Sequence, residues 1–302
     1  MRSSRVGLTE SVDVANQRLT FVVTASIKAL PQVSHIGREP KNRRAPMKTR
    51  LRAVAALIVL VGVSLVAADP AYVGKWKLNT AKSQLTGDTV TISKAADGMM
   101  TFDGQGFKYS FRTDGKEYAT PDGATASWTH ASPDAYDVAI KGGGKPIATY
   151  HVVVKGEALN LAGKLSKADG TTSDFSAAYK RKSGGPGLAG TWISTEVKAS
   201  ISTLEVAAVA PAGVSITDDS GATFSGQFDG QETPALGRLK GSKITTIFKK
   251  AGANGFEVTN KVDGKAMSTE IFSVSADGKT LTIDGTPTNA PTEKYKVVFD
   301  RQ

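Results

Sequence analysis

Gly74-Lys75-Trp76 opens a stretch of sequence that ends in Tyr179-Lys180-Arg181, and Gly190-Thr191-Trp192 opens another that ends in Phe299-Asp300-Arg301. Between these ends the two stretches keep step. Val90-Thr91-Ile92 matches Val214-Ser215-Ile216, and Thr101-Phe102-Asp103-Gly104-Gln105 matches Thr223-Phe224-Ser225-Gly226-Gln227. Tyr136-Asp137-Val138 matches Phe256-Glu257-Val258, and Leu159-Asn160-Leu161 matches Leu281-Thr282-Ile283. A repeat of about 110 residues is a whole domain, well beyond the roughly 20–50-residue periods of solenoids. The chain therefore reads as two tandem copies of one domain.

The local pattern is that of antiparallel strands. Asp-Gly occurs nine times, at 97, 103, 114, 122, 169, 229, 263, 277 and 284. This dipeptide suits the positive-φ turns that join neighbouring strands. Between the turns apolar residues alternate with polar ones: Phe107, Tyr109 and Phe111; Tyr136, Val138 and Ile140; Tyr150, Val152 and Val154; Tyr295, Val297 and Phe299. A period of two marks strands with one buried face. The expectation is an all-β protein of two up-and-down barrels, about eight strands each, because closing the sheet removes exposed edges. The expected boundaries are copy 1 at 69–182, a linker at 183–188 containing Gly184-Gly185-Pro186-Gly187, and copy 2 at 189–302. Copy 2 carries extra residues within 197–210, expected as a short helix or a lid loop.

In a closed barrel the first strand meets the last. That places Trp76 beside Arg181 and Trp192 beside Arg301, each guanidinium over an indole face. These four residues read as structural, closing the barrels. The arrangement resembles the lipocalin and avidin group of barrels, in which a Gly-x-Trp on the first strand is covered by an arginine near the last. The run Trp76-Lys77-Leu78-Asn79-Thr80-Ala81-Lys82-Ser83 also resembles the opening of small exported bacterial proteins of unassigned function. The resemblance implies a barrel plugged at one end and open at the other.

Residues 1–68 hold eleven of the 38 Lys/Arg and three of the 28 Asp/Glu, which leaves residues 69–302 with 27 basic and 25 acidic side chains. So even a balance provides no phosphate-neutralising stripe and argues against nucleic acid as a partner. Residues 47–68 read as a secretory signal: Lys48, Arg50 and Arg52 precede an apolar run, with Val66-Ala67-Ala68 before the cleavage point. The run is shorter than the roughly 20 residues that span a bilayer. The expectation is an exported, periplasmic or extracellular chain beginning at Asp69, without a membrane span once the signal is removed. Residues 1–46 read as an over-extended frame ahead of Met47, the alternative being a twin-arginine leader at Arg43-Arg44. With no cysteine in the chain, the domains depend on core packing alone.

Catalytic chemistry is sparse. His130 and His151 have no metal-ligand spacing, and no Gly-x-Ser-x-Gly elbow is present. Asp218-Asp219 reads as a turn, and Lys141-Gly142-Gly143-Gly144-Lys145 as a hairpin loop. No catalytic residue, metal or cofactor is expected. Two functions remain. The first is binding of a small apolar or aromatic ligand, with Phe107, Tyr109, Phe111, Tyr136 and Tyr150 as candidate lining in copy 1. The second is a structural or interaction role in the cell envelope, with solid barrels and a protein partner.

Overall fold

The structure is a computed structural model that describes residues 69–104, 107–199 and 201–302. The signal segment, the Met47 start and Gln105 lie outside the described residues. Among those residues there is no helix, and none is long and apolar enough to cross a membrane. The strands are β1 (Gly74–Leu78), β2 (Thr89–Lys94), β3 (Met100–Gly104), β4 (Phe107–Phe111), β5 (Asp114–Ala119), β6 (Thr125–Ser132) and β7 (Ala135–Gly142). There follow β8 (Lys145–Lys155), β9 (Ala158–Ser166), β10 (Thr172–Ser183), β11 (Gly190–Lys198), β12 (Thr203–Val209), β13 (Gly213–Asp218) and β14 (Ala222–Gln227). The last are β15 (Glu232–Pro234), β16 (Leu236–Gly237), β17 (Ile244–Lys250), β18 (Gly255–Val262), β19 (Lys265–Val274), β20 (Thr280–Pro287) and β21 (Tyr295–Arg301).

These strands form two nearly closed antiparallel barrels of ten and eleven strands rather than eight. Each sheet is interrupted at one place, between β4 and β5 in the first barrel and between β15 and β16 in the second. The expected alternation is present; β4 is buried, exposed, buried, exposed, buried along its length. Gly143 and Gly144 make the tight β7–β8 turn, both with positive φ (54° and 79°), as a two-residue hairpin with the strands' own twist requires.

The barrels do not follow the sequence boundaries. In the first, β10 is followed at once by β11, and β11 also pairs with β2, closing the sheet. By sequence β11 is the opening strand of copy 2. The opening strand of copy 1, β1, lies instead in the second barrel between β21 and β12. The two copies have thus exchanged their first strands. The cause is loop length: only residues 184–189 separate β10 from β11, so what reads as a linker is a hairpin connection. Strands adjacent in sequence usually neighbour one another in space, and short loops cost the least closure entropy.

The extra residues of copy 2 are neither helix nor lid. They complete β11 and form β12, which belongs to the other barrel and is inserted between β1 and β13. The first copy crosses the other way at 79–88, where Gln84 bridges Lys296 beside the second barrel and Gly87 bonds Ser194 of β11. The barrels also touch directly. The Ala168 N–H donates to Ser220 O at 3.0 Å and the Lys243 N–H to Asp122 O at 2.9 Å.

Candidate functional site

The closed ends decide which residues pair. Arg181 lies over Trp192 at 4.0 Å, and Arg301 over Trp76 at 4.2 Å. The expected partners, Trp76 with Arg181 and Trp192 with Arg301, are therefore crossed, because strand exchange places each indole beside the other copy's arginine. Each indole N–H donates to the carbonyl four residues earlier, Tyr72 or Leu188, at 3.0 Å. Arg181 donates to Ala189 O, Gly187 O and Gly156 O; Arg301 donates to Val73 O, Ala71 O and Gly278 O. A Cβ on Gly74 or Gly190 would stand 2.6 Å from the guanidinium of Arg301 or Arg181. The Gly-x-Trp glycine is thus required by the close approach of the arginine.

The five aromatics expected to line a ligand site lie inside the first barrel, packed on one another and on their neighbours. Phe111 stacks on Trp128 at 4.6 Å, and Trp128 donates its indole N–H to the Tyr109 hydroxyl at 3.2 Å. Phe107 meets Tyr109 edge-on; Tyr136 and Tyr150 both pack edge-on against Trp128. These side chains are in contact with one another rather than set around either of the cavities described below.

The second barrel contains a cavity of about 160 Å³. Ile216, Phe224, Val258, Phe272, Ile283 and Phe299 form its apolar wall. Half-buried Leu85, Ala199 and Ile201, from the segments joining the barrels, border it together with half-buried Val197 and exposed Lys198 at the end of β11. Ala199 and Ile201, between β11 and β12 in the stretch expected as a possible lid, therefore border a cavity.

Four polar side chains reach the cavity: Asp218, Asn260, Glu270 and Tyr295. The Tyr295 hydroxyl donates to Glu270 Oε1 at 2.5 Å, and Asn260 Nδ2 donates to Ser268 Oγ at 3.0 Å. Burial pushes the Glu270 carboxyl above the usual carboxylate range, against the opposing hydrogen bonds from Tyr295 and Asn260. Burial also raises Asp218, against Ser220 and the nearby Arg238. Arg238 is itself lowered to about 10 by burial, and its Nε donates to Ser220 Oγ at 3.1 Å. Gly285 makes room for the Tyr295 ring, since a Cβ there would fall 1.9 Å from the ring. Asp219, the other half of the expected turn, faces away and holds Ser202 and Lys167.

The ladders show how this cluster arose within the repeat. Val138 pairs with Tyr150 and Ile140 with Ala148 in the first barrel; Val258 pairs with Glu270 and Asn260 with Ser268 in the second. Phe175 opposite Gly163 likewise matches Tyr295 opposite Gly285. Ile140, Ala148, Tyr150 and Phe175 have become Asn260, Ser268, Glu270 and Tyr295. None of these four was singled out from the sequence. The available signal was a polar residue in copy 2 at a position apolar in copy 1.

A shallower depression of about 300 Å³ lies on the outside of the first barrel, bordered by His151, Asn160, Ser176 and Glu196. His151 is exposed there and contacts Asp137 at 2.7 Å, and His130 is also exposed. Among the described residues no three His, Cys, Asp or Glu side chains are grouped to hold a metal ion. Comparison with protein-family models, curated proteins and solved structures returned no match.

Proposed function

We propose that this is an exported binding protein whose second barrel takes a small, largely apolar ligand. The observation that carries the reading is the cavity of about 160 Å³ with apolar walls and convergent buried polar groups. That combination is the usual form of a small-molecule site. Its size sets the guest: an apolar protein cavity of about 150 Å³ holds benzene. The guest is therefore about one ring in size, anchored at Glu270 and Tyr295. The resemblance of the Gly-x-Trp and arginine plug to the lipocalin and avidin group supports a ligand entering from the opposite end.

The filled first barrel favours a structural role for that half. It supplies β11 and a rigid platform beside the cavity mouth, and its outer surface is where an envelope partner would dock. Calorimetric titration with monosubstituted benzenes tests the binding reading. Binding to the intact chain that is lost in Ile283→Trp, which fills the cavity, supports it. Absence of binding by every ring-sized compound rejects it in favour of a two-barrel scaffold. Export rests on residues 47–68, and N-terminal sequencing of secreted material is expected to begin at Asp69.

A further inference from the structure

We infer that the guest is a ring-sized organic ammonium ion, held by a salt bridge between its nitrogen and the carboxylate of Glu270. This deepens the binding reading above and rests on it. The first argument comes from the repeat. Tyr150 fills the equivalent position in the first barrel and packs against Phe175 at 5.9 Å. The barrel therefore closes without any acid at this place, and Glu270 is not a requirement of the fold. Burying a carboxyl is costly unless a partner compensates it.

The second argument is charge. Glu270 is 8% exposed, and the polar groups around it are neutral: Ser268 on its own strand, Asn260 on β18 and the hydroxyl of Tyr295 on β21. Across the cavity stands Asp218, whose own cation is Arg238. Ile283 and Gly285 of β20 bring no charge. The basic side chain of the lining is Lys198, exposed at the mouth. Among the described residues Glu270 thus has hydrogen-bond donors but no counter-ion within the cavity, and an ammonium group on an apolar body supplies one. The apolar wall excludes water and strengthens that pair.

The proton balance follows. Where burial holds Glu270 protonated in the free protein, binding converts the carboxylic acid and the free ammonium ion into an ion pair and releases that proton to solvent. Affinity for the amine then rises with pH while Glu270 is protonated in the free protein. Asp218, Tyr295 and Lys198 are the other titratable groups facing the site, and they are the alternatives to be separated.

The test is calorimetry on the intact chain with benzylamine and benzyl alcohol, near-isosteres, in buffers of different ionisation enthalpy. The expected result is at least tenfold tighter binding of benzylamine, with proton release. In Glu270→Gln the amine should fall to within about threefold of the alcohol, whose own affinity barely changes. Tyr295→Phe, which restores the residue type of the first barrel, should weaken the amine by a smaller factor. Alcohol binding as tightly as amine overturns the inference but leaves the ligand site standing. Loss of amine binding in Asp218→Asn but not in Glu270→Gln overturns the assignment to Glu270. Binding of neither compound overturns both readings. Should Glu270→Gln fail to fold, the ratio of amine to alcohol affinity in the unaltered protein still decides.

Discussion

In the first barrel Tyr150 lies edge-on between Trp128 and Phe175, at 6.3 and 5.9 Å. At the matching place in the second barrel Glu270 accepts a hydrogen bond from Tyr295 beside an unfilled space. The backbone ladders around the two positions are the same, valine opposite each. One sheet thus supports two interiors, because alternation dictates only which face is buried. What fills the buried face is a separate choice. The first copy uses aromatic rings, each contact contributing about 0.5–1.5 kcal/mol beyond burial. The second forgoes that filling and buries polar groups, which costs stability unless each is paired.

The strand exchange gives the largest expected effect. Removing residues 69–78 takes β1, and with it Trp76 and Tyr72, from the second barrel, not from the first. A buried Trp alone is worth about 3–5 kcal/mol, so the second barrel should lose its fold. Hydrogen exchange followed by mass spectrometry should show protection lost over 203–301 and kept over 89–183. Loss confined to 89–183 would return β1 to its own copy and dissolve the comparison. Trp76→Ala and Trp192→Ala should divide in the same sense, each destabilising the opposite copy.

Next comes converting one interior into the other. The fourfold variant Asn260→Ile, Ser268→Ala, Glu270→Tyr and Tyr295→Phe gives the second barrel the residues of the first. Replacing buried polar groups with well-packed apolar ones often stabilises by about 1–4 kcal/mol. Urea unfolding should show a gain within that range together with loss of ligand binding. A destabilised variant would mean that the polar cluster holds the second barrel together.

Acid should act in the same direction on both barrels. In the first, burial raises the Asp122 carboxyl to about 6, against hydrogen bonds from Thr120 and Ala124. Its Oδ2 is buried without a hydrogen-bond partner among the described residues. The folded protein therefore holds this proton more tightly than the unfolded chain. Stability should rise as pH falls from about 7 to about 4, by up to about 3 kcal/mol, and be lost again as pH rises through about 6. Asp122→Asn should remove that slope in chemical unfolding of the first barrel. Glu270 and Asp218, also raised by burial, contribute slopes of the same sign in the second.

The smallest difference is at the plugs. Arg181 is buried, with Glu157 alongside at 3.5 Å, whereas Arg301 is exposed. A cation over an aromatic ring is worth about 2 kcal/mol when desolvated and about 0.5–1 kcal/mol when exposed. Arg181→Gln should therefore cost more than Arg301→Gln in thermal unfolding, and equal costs would erase the distinction.

Much of this architecture was open to reading before any coordinates. The matched anchors and the period of two follow from local chemistry and lie where that chemistry puts them; the Gly-x-Trp and arginine signals do form the plugs, but with their partners exchanged. The nine Asp-Gly pairs were a mixed guide. Six mark turns, but Gly104, Gly115 and Gly285 lie inside strands, and Gly285 is there for the Tyr295 ring. Asp218 was seen only as part of a turn because an adjacent acid hides which of the two faces inward. Glu270 was overlooked because a single acid in an alternating strand looks like a solvent-facing residue.

Residue order by itself determined that there are two copies, that both are β, and that their alternating apolar side chains face inward, since turn preference and alternation act over a few residues. Which copy completes which barrel was decided only in three dimensions. An opening strand meets equivalent edges in both copies, and the choice depends on the short 184–189 connection and on how the chain crosses between barrels. The cavity belongs to the same level, because an unfilled volume is a property of side chains converging from distant strands and not of any one segment.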